Sequence, residues 1–418
     1  MRAGEENKPS NSGFAFRICG VVMKKRQTFF YHRFLRRVFL WTRSNILEVT
    51  EAPVPCSQRH AFPAKRVHSL RGVAILLVVA FGLSTVANPS WAEQAIGQAG
   101  VDHSVLCKTD WMYRGQLGLS THYFPLTMDS EEKVANAFQV QTVANQVTEA
   151  GAAWFLFTVQ HQNWMMMAPN KTFDRIVGSS DYTPDRDIPL DLYRALNEKN
   201  VKLMIYVNLI MNAHPAVREA MGGWPPNDTL IDNIAAVYKE YSLRYGDKVA
   251  GWWVDGSGNP AYRNSSERER WFTTIAHALR AGNPNALVAI SPALNFARYT
   301  LNSDITAGES NDLKPVPTGH WLDGAQWHMW TYLGGWWGSD GTRFSNQELG
   351  NYVSLVTSRG GALTFEVGTR GENREGLAGR SVPTRNAGFI DPTQIDQIKA
   401  IRKYLHPVES APPTNCMN

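Results

Sequence analysis

From about Asp110 onward the chain alternates between two kinds of stretch. Short runs are apolar at nearly every position, and longer ones carry apolar residues every three to four positions. The first kind predicts strands buried on both faces, the second amphipathic helices. Strands are predicted at 116–122, 153–159, 201–207, 249–254, 286–291, a short 304–307, 325–330 and 361–367. Helices are predicted at 131–149, with Val134, Phe138, Val143 and Val147 on one face, and at 190–199, 229–245, 266–282, 345–358 and 392–405. Eight such units in roughly 300 residues predict a (β/α)8 barrel. An open doubly wound sheet would carry a glycine-rich phosphate loop after its first strand, and the sequence has none there. Long loops after the second, third, sixth and seventh strands would cap the C-terminal face, where such barrels keep their active sites.

Charge divides the chain. Residues 1–92 hold 14 Lys+Arg and 4 Asp+Glu, the remainder 28 and 33. The pI near 8.9 therefore belongs to the leader, and the acidic body argues against nucleic-acid binding. Inside the leader, Lys65, Arg66 and Arg71 precede an apolar run, 72–83, and Ser90-Trp91-Ala92 forms a small-x-small site. This predicts a cleaved signal peptide over 65–92. The run is shorter than the roughly 20 residues of a membrane span, so no membrane anchor is expected after cleavage, and the protein is expected in the periplasm or outside the cell. Residues 1–64 are expected to be a mis-assigned upstream extension or a disordered leader. The rest divides into an N-terminal segment (93–109), one barrel domain (110–406) without a C-terminal β-sandwich, and a tail (407–418). Cys107 and Cys416 bracket this part of the chain. In an oxidising compartment they can form one bridge, two free thiols being the alternative. No Cys/His spacing matches a zinc site, and no metal or cofactor is expected.

Polar residues recur at the predicted strand ends: His122, His161, Asn208, Asp255, Glu309 and Glu366. Asp255 closes the apolar aromatic run 250–254 and is followed by Gly256. Burying a charge there is costly, so a task is expected of it, the alternative being a cap on the following turn. Glu309 could be a loop salt bridge, and any single His a satisfied structural group. Tryptophans in loops, namely Trp164, Trp321, Trp336 and Trp337, offer flat apolar faces that suit sugar rings. Glycosidases need two carboxyl groups. Asp255 is the candidate nucleophile or base, Glu309 the candidate acid, and Glu366 its rival.

Along 110–405 the segments resemble, in order, the family 29 glycoside hydrolases, the retaining α-L-fucosidases. Leu119-Ser120-Thr121-His122-Tyr123 is similar to their Phe-x-His-Trp motif. Ala150-Gly151-Ala152 through Gln160-His161-Gln162-Asn163-Trp164 resembles their second unit, and Arg186-Asp187 a following Arg-Asp pair. Tyr245-Gly246 before Trp253-Val254-Asp255-Gly256 resembles their nucleophile strand. Residues 304–309, 336–338 and 360–368 are looser counterparts. The resemblance implies a retaining enzyme. Asp255 would form a covalent glycosyl-enzyme, Glu309 would act as acid/base, and the two carboxyls would lie about 5–5.5 Å apart. His122, His161, Gln162, Trp164, Asn208, Trp253, Trp321 and Trp337 would contact a carbohydrate substrate. Gln162, Asn163 and Glu366 depart from the family's His, Asp and Asn. Two alternatives therefore stay open: a glycosidase for another sugar, with carboxyls 6.5–9.5 Å apart if inverting, and a non-catalytic carbohydrate-binding barrel.

Overall fold

The computed structural model describes residues 103–125, 131–369 and 388–408. The predicted leader, the signal peptide and Cys416 lie outside them, while Cys107 is disulfide-bonded. The strands are β1 (Leu117–Thr121), β2 (Trp154–Thr158), β3 (Lys202–Asn208), β4 (Val249–Asp255), β5 (Leu287–Ile290), β6 (Gly308–Glu309), β7 (Trp321–Leu322), β8 (Ala325–Gln326), β9 (His328–Tyr332) and β10 (Ala362–Glu366). Eight of them form one parallel sheet in the order β5-β4-β3-β2-β1-β10-β9-β6, while β7 and β8 make a small antiparallel hairpin. With helices packed around it, this is a (β/α)8 barrel.

Alternation along the strands divides the apolar residues between two cores. Outward positions such as Leu119, Phe155, Ile205, Val254, Val288 and Phe365 pack under the helices. Inward positions, Trp154, Leu156, Met204, Tyr206, Trp253, Ala289 and Trp330, fill the barrel. Packing is tight enough to demand glycine at one place. A Cβ on Gly118 would lie 2.0 Å from the Trp154 indole nitrogen. That indole crosses beneath β1 to donate to Thr364 Oγ1 on β10 at 3.0 Å. The helix His103–Gly115 contributes Met112 and Trp111 to the inner core. It begins within the stretch expected to be a separate N-terminal segment.

Helix ends follow local chemistry. Asn170, Asp187 and Asn227 each accept from a first-turn N–H, and Ser345 with Glu348 forms a capping box. The predicted helix 131–149 is two helices, Glu131–Ala137 and Val140–Ala150. The chain breaks between them because the Gln139 N–H donates to the Gly388 carbonyl instead of continuing the helix.

The sixth strand departs most from expectation. Residues 304–307 carry no ladder of their own, and β6 comprises two residues paired with β9. The gap between β5 and β6 is closed by Asp304, through its backbone and its side chain. The Asp304 N–H donates to the Val288 carbonyl at 2.9 Å, and Asp304 Oδ2 accepts from the Val288 N–H at 2.8 Å. Arg280 holds the same oxygen at 2.6 Å. On the other side the Gln326 N–H donates to the Asp304 carbonyl at 3.0 Å.

Candidate active site

Asp255 is the last residue of β4 and lies opposite Asn208 of β3. Its Oδ2 accepts from the Tyr206 hydroxyl at 2.5 Å and Asn208 Nδ2 at 2.8 Å. Its Oδ1 accepts from the Gly256 N–H. Tyr206 and Asn208 are two residues apart, so both face the barrel interior. Burial, reinforced by the charge of Asp255, pushes the Tyr206 hydroxyl well above its ordinary pKa, so it stays a donor. Asn208 is itself fixed. Its N–H donates to Gln160 Oε1 at 2.7 Å, its Oδ1 accepts from the Ile210 N–H at 2.8 Å, and the Tyr238 hydroxyl donates to its carbonyl at 2.8 Å. Gly256 has φ +82°, and a Cβ there would come within 2.7 Å of Asn208 Oδ1; the sharp turn after Asp255 needs glycine.

Glu309 ends β6 opposite Trp330 of β9. Its N–H donates to the Ala293 carbonyl at 3.1 Å, and its Oε1 accepts from the Ser291 hydroxyl at 3.1 Å. Burial, and then the negative charges of Asp255 and Glu366, raise its pKa well above the ordinary carboxylate range. The site thus holds one carboxyl in a polar, hydrogen-bonded setting and another biased toward its neutral form, the separation of roles that acid/base chemistry requires.

Glu366, in β10 opposite Ser120, is committed elsewhere. Its Oε2 accepts from the Ser120 hydroxyl at 2.7 Å, and its Oε1 from the backbone N–H and Nδ1 of His122 at 2.7 and 2.9 Å. Its side chain has no exposure to solvent. The arrangement positions His122 rather than presenting an acid to a ligand.

Aromatic rings surround these groups. His122 stacks on Trp330, with centroids 5.3 Å apart and planes 5° apart. It meets Tyr206, His161 and Trp337 edge-on at 5.0, 5.4 and 6.0 Å. His161 stacks on Phe124 at 4.4 Å, and Trp337 packs against Trp330 and Tyr332. Trp253 lies two residues below Asp255 on the same face of β4, buried edge-on to Trp330, and belongs to the floor.

Two residues expected to contact substrate lie elsewhere. Trp164 is fully buried in the outer core, stacked between Phe173 and Tyr238, with its indole N–H on the Ile210 carbonyl. A left-handed backbone at Trp164, φ +59°, turns the ring inward. Trp321 sits in the β7–β8 hairpin at the start of β9, stacked on His320, which in turn stacks on Tyr113 of the first helix. That is the N-terminal end of the barrel, remote from Asp255. Gln162 lies in the turn after β2, where its carbonyl accepts from the Asn212 N–H at 2.9 Å. Tyr206, Ser120, Ser291 and Trp330 join the site without having been singled out. Ser120 and Tyr206 stand two residues before His122 and Asn208, and period two along each strand is the signal that finds them; Trp330 enters as the cross-strand partner of Glu309.

The parallel barrel thus carries Asp255 and Glu309 at the C-terminal ends of β4 and β6. Residues 106–375 match the alpha-L-fucosidase family model, and the chain belongs to that family. No curated protein sequence matches it. Among solved structures, it is similar to the endo-fucoidan hydrolase MfFcnA4 of glycoside hydrolase family 107. The identity is 16%, the TM-score 0.56, and 71% of this chain and 53% of that chain are covered. It is also similar to alpha-L-fucosidase isoenzyme 1 from Paenibacillus thiaminolyticus, with 18% identity, TM-score 0.51, and 71% and 75% covered. A GH29 alpha-L-fucosidase from Bacteroides thetaiotaomicron, trapped as a covalent intermediate, matches at 14% identity, TM-score 0.50, with 71% and 74% covered. These likenesses concern the fold. The chain spans about half the length of the endo-fucoidan hydrolase.

Proposed function

We propose that this protein is an exported retaining glycoside hydrolase that cleaves terminal α-L-fucosyl bonds by double displacement. Asp255 attacks the anomeric carbon and forms a covalent fucosyl-enzyme as the glycosidic bond breaks. Glu309 gives its proton to the leaving oxygen, then takes one from the water that hydrolyses the intermediate. The observation that carries this reading is the electrostatic difference between the two carboxyls. Asp255 is held by Tyr206, Asn208 and Gly256, whereas Glu309 is half-buried with a single side-chain partner, the Ser291 hydroxyl, and is raised by desolvation first and then by its charged neighbours. His122, His161 and Trp337 form the wall against which the fucose ring rests. Membership of the alpha-L-fucosidase family supports the sugar. The disulfide-bonded state of Cys107 supports export, since such bonds persist in oxidising compartments.

The test is hydrolysis of 4-nitrophenyl α-L-fucoside, with Asp255→Gly assayed with and without azide. Loss of activity, rescued by azide with formation of the β-fucosyl azide, is expected of a nucleophile. Turnover of another glycoside only would discard the sugar, and an Asp255→Gly variant as active as the parent would discard the mechanism.

A further inference from the structure

We propose that Trp336 and Leu294 form a subsite for the sugar on the leaving-group side of the cleaved bond, so that the substrate is a fucosylated oligosaccharide or polysaccharide rather than a small fucoside. The inference rests on the assignment of Glu309 as the acid. A proton donor must lie within hydrogen-bond reach of the leaving oxygen. The leaving sugar therefore occupies the rim above β6 and its two flanks.

Those flanks carry the exposed apolar side chains. On one side Ala293 accepts the Glu309 N–H, and the next residue, Leu294, is 63% exposed. On the other, β6 pairs with β9, and the loop leaving β9 carries Trp336, 41% exposed. The other exposed large hydrophobics among the described residues lie away from β6. Leu243 and Leu355 are on outer helices, and Leu301 adjoins Thr300, whose hydroxyl is tied to Glu269 of the helix Arg268–Leu279.

Both supports are built. Ala293 adopts φ +59°, a conformation a non-glycine residue seldom takes. Its N–H donates to Ser291 Oγ at 3.1 Å, and the same hydroxyl donates to Glu309, so the Leu294 turn is coupled to the acid. On the Trp336 side, that residue's N–H donates to Ser339 Oγ at 2.8 Å, and the Ser339 N–H returns to its carbonyl at 3.0 Å. Gly334 has no room for a Cβ, which would lie 2.1 Å from the Ser339 carbonyl. The adjacent tryptophans thus split. Trp337 packs inward on Trp330 and Tyr332, while Trp336 keeps a rigid face in solvent beside Tyr332. A flat indole on one flank of β6 and a leucine on the other suit the C–H faces of a pyranose, with its hydroxyls left to water.

The experiment compares α-L-fucosyl fluoride, whose leaving group presents no sugar to the rim, with a panel of fucosylated trisaccharides and fucan oligosaccharides. The full chain, Trp336→Ala and Leu294→Ala are assayed, with thermal melts to verify folding. The expected result for Trp336→Ala is a fall of about tenfold in kcat/KM on the oligosaccharides, carried by KM, the size of one lost stacking contact. Fluoride turnover is expected to change by less than about twofold, with a smaller loss of the same kind for Leu294→Ala. Equal effects on both substrates, or no effect on either, overturn the subsite. Wild-type turnover of the fluoride with none of the oligosaccharides also overturns it and leaves the reaction standing. No wild-type turnover of the fluoride removes the assigned reaction, and the subsite with it.

Discussion

One oxygen of Glu366 receives both the backbone N–H and the ring Nδ1 of His122, at 2.7 and 2.9 Å. With Nδ1 as donor, the imidazole is left with Nε2 to offer a ligand. Replacing Glu366 by Gln supplies one acceptor where the site uses two oxygens, and leaves either Ser120 or His122 facing an amide donor. The expected cost is about 1–3 kcal/mol, read by urea denaturation, together with a fall in kcat/KM. Glu366→Leu is expected to cost more on both measures. A Glu366→Leu enzyme with unchanged KM and kcat would show that His122 needs no such anchor.

The raised pKa of Glu309 predicts the basic limb of the pH–rate profile. As the proposed acid, Glu309 must carry its proton, so kcat/KM declines as pH rises through its folded-state pKa. Glu309→Gln is expected to remove that limb and slow hydrolysis of oligosaccharides by about 10²–10⁴-fold, with a milder effect on 4-nitrophenyl fucoside, whose leaving group needs little proton assistance. Asp255 contributes to the shift. Infrared titration of the Glu309 carboxyl should therefore find it ionising at lower pH in Asp255→Asn than in the parent.

Two histidines predict how stability depends on acid. Burial lowers His328 to about 3 and His320 to about 4, against an ordinary value of about 6.5. As pH falls, the unfolded chain takes up protons before the folded one does. The stability these groups contribute is whole above about 6.5 and is lost progressively as pH drops toward their folded values. Urea midpoints measured from pH 7.5 to 4.5 should decline, and the double variant His320→Gln/His328→Gln should flatten the decline. A parent curve with no slope over that range would contradict the buried, neutral state of both rings.

Asp304 carries the barrel seam, and its removal should behave as the loss of a buried ion-pair partner. Asp304→Ala strands Arg280 and the Val288 N–H, at an expected cost of about 3–5 kcal/mol. Asp304→Asn keeps an oxygen for Val288 and should cost less. Denaturation midpoints of the two variants, compared with the parent, test the order.

Much of this was legible in the chain. Runs such as Trp154–Phe157 and Leu287–Ile290 are apolar on both faces, which a parallel barrel strand requires, and Asp255 stands out because nothing else polar follows so long an aromatic run. What escaped had physical reasons. At the sixth strand the Asp304 carboxylate and a single backbone bond take the place of a ladder to β5, so the stretch 304–307 stands one step before the two residues that join the ladder. Trp164 and Trp321 look alike in sequence to Trp337. A left-handed residue sends the first into the core, and a hairpin returns the second to the far end of the barrel. Tyr206 passed as a core aromatic because a buried ring with a hydroxyl at the rim has the same pattern as one without a partner.

The two proposed reactive carboxyls are mounted very differently. Asp255 ends a seven-residue strand bonded along both edges, so its place is dictated by the whole sheet. Glu309 ends a strand of two residues, laddered on one edge alone and bordered on the other by the Asp304 seam. Drift in sequence can therefore relocate or retune the proton donor at little expense to the scaffold, whereas any shift of the attacking group disturbs its neighbours on either side. A barrel organised this way has one anchored jaw and one adjustable jaw, and new linkages would be accommodated at the adjustable one.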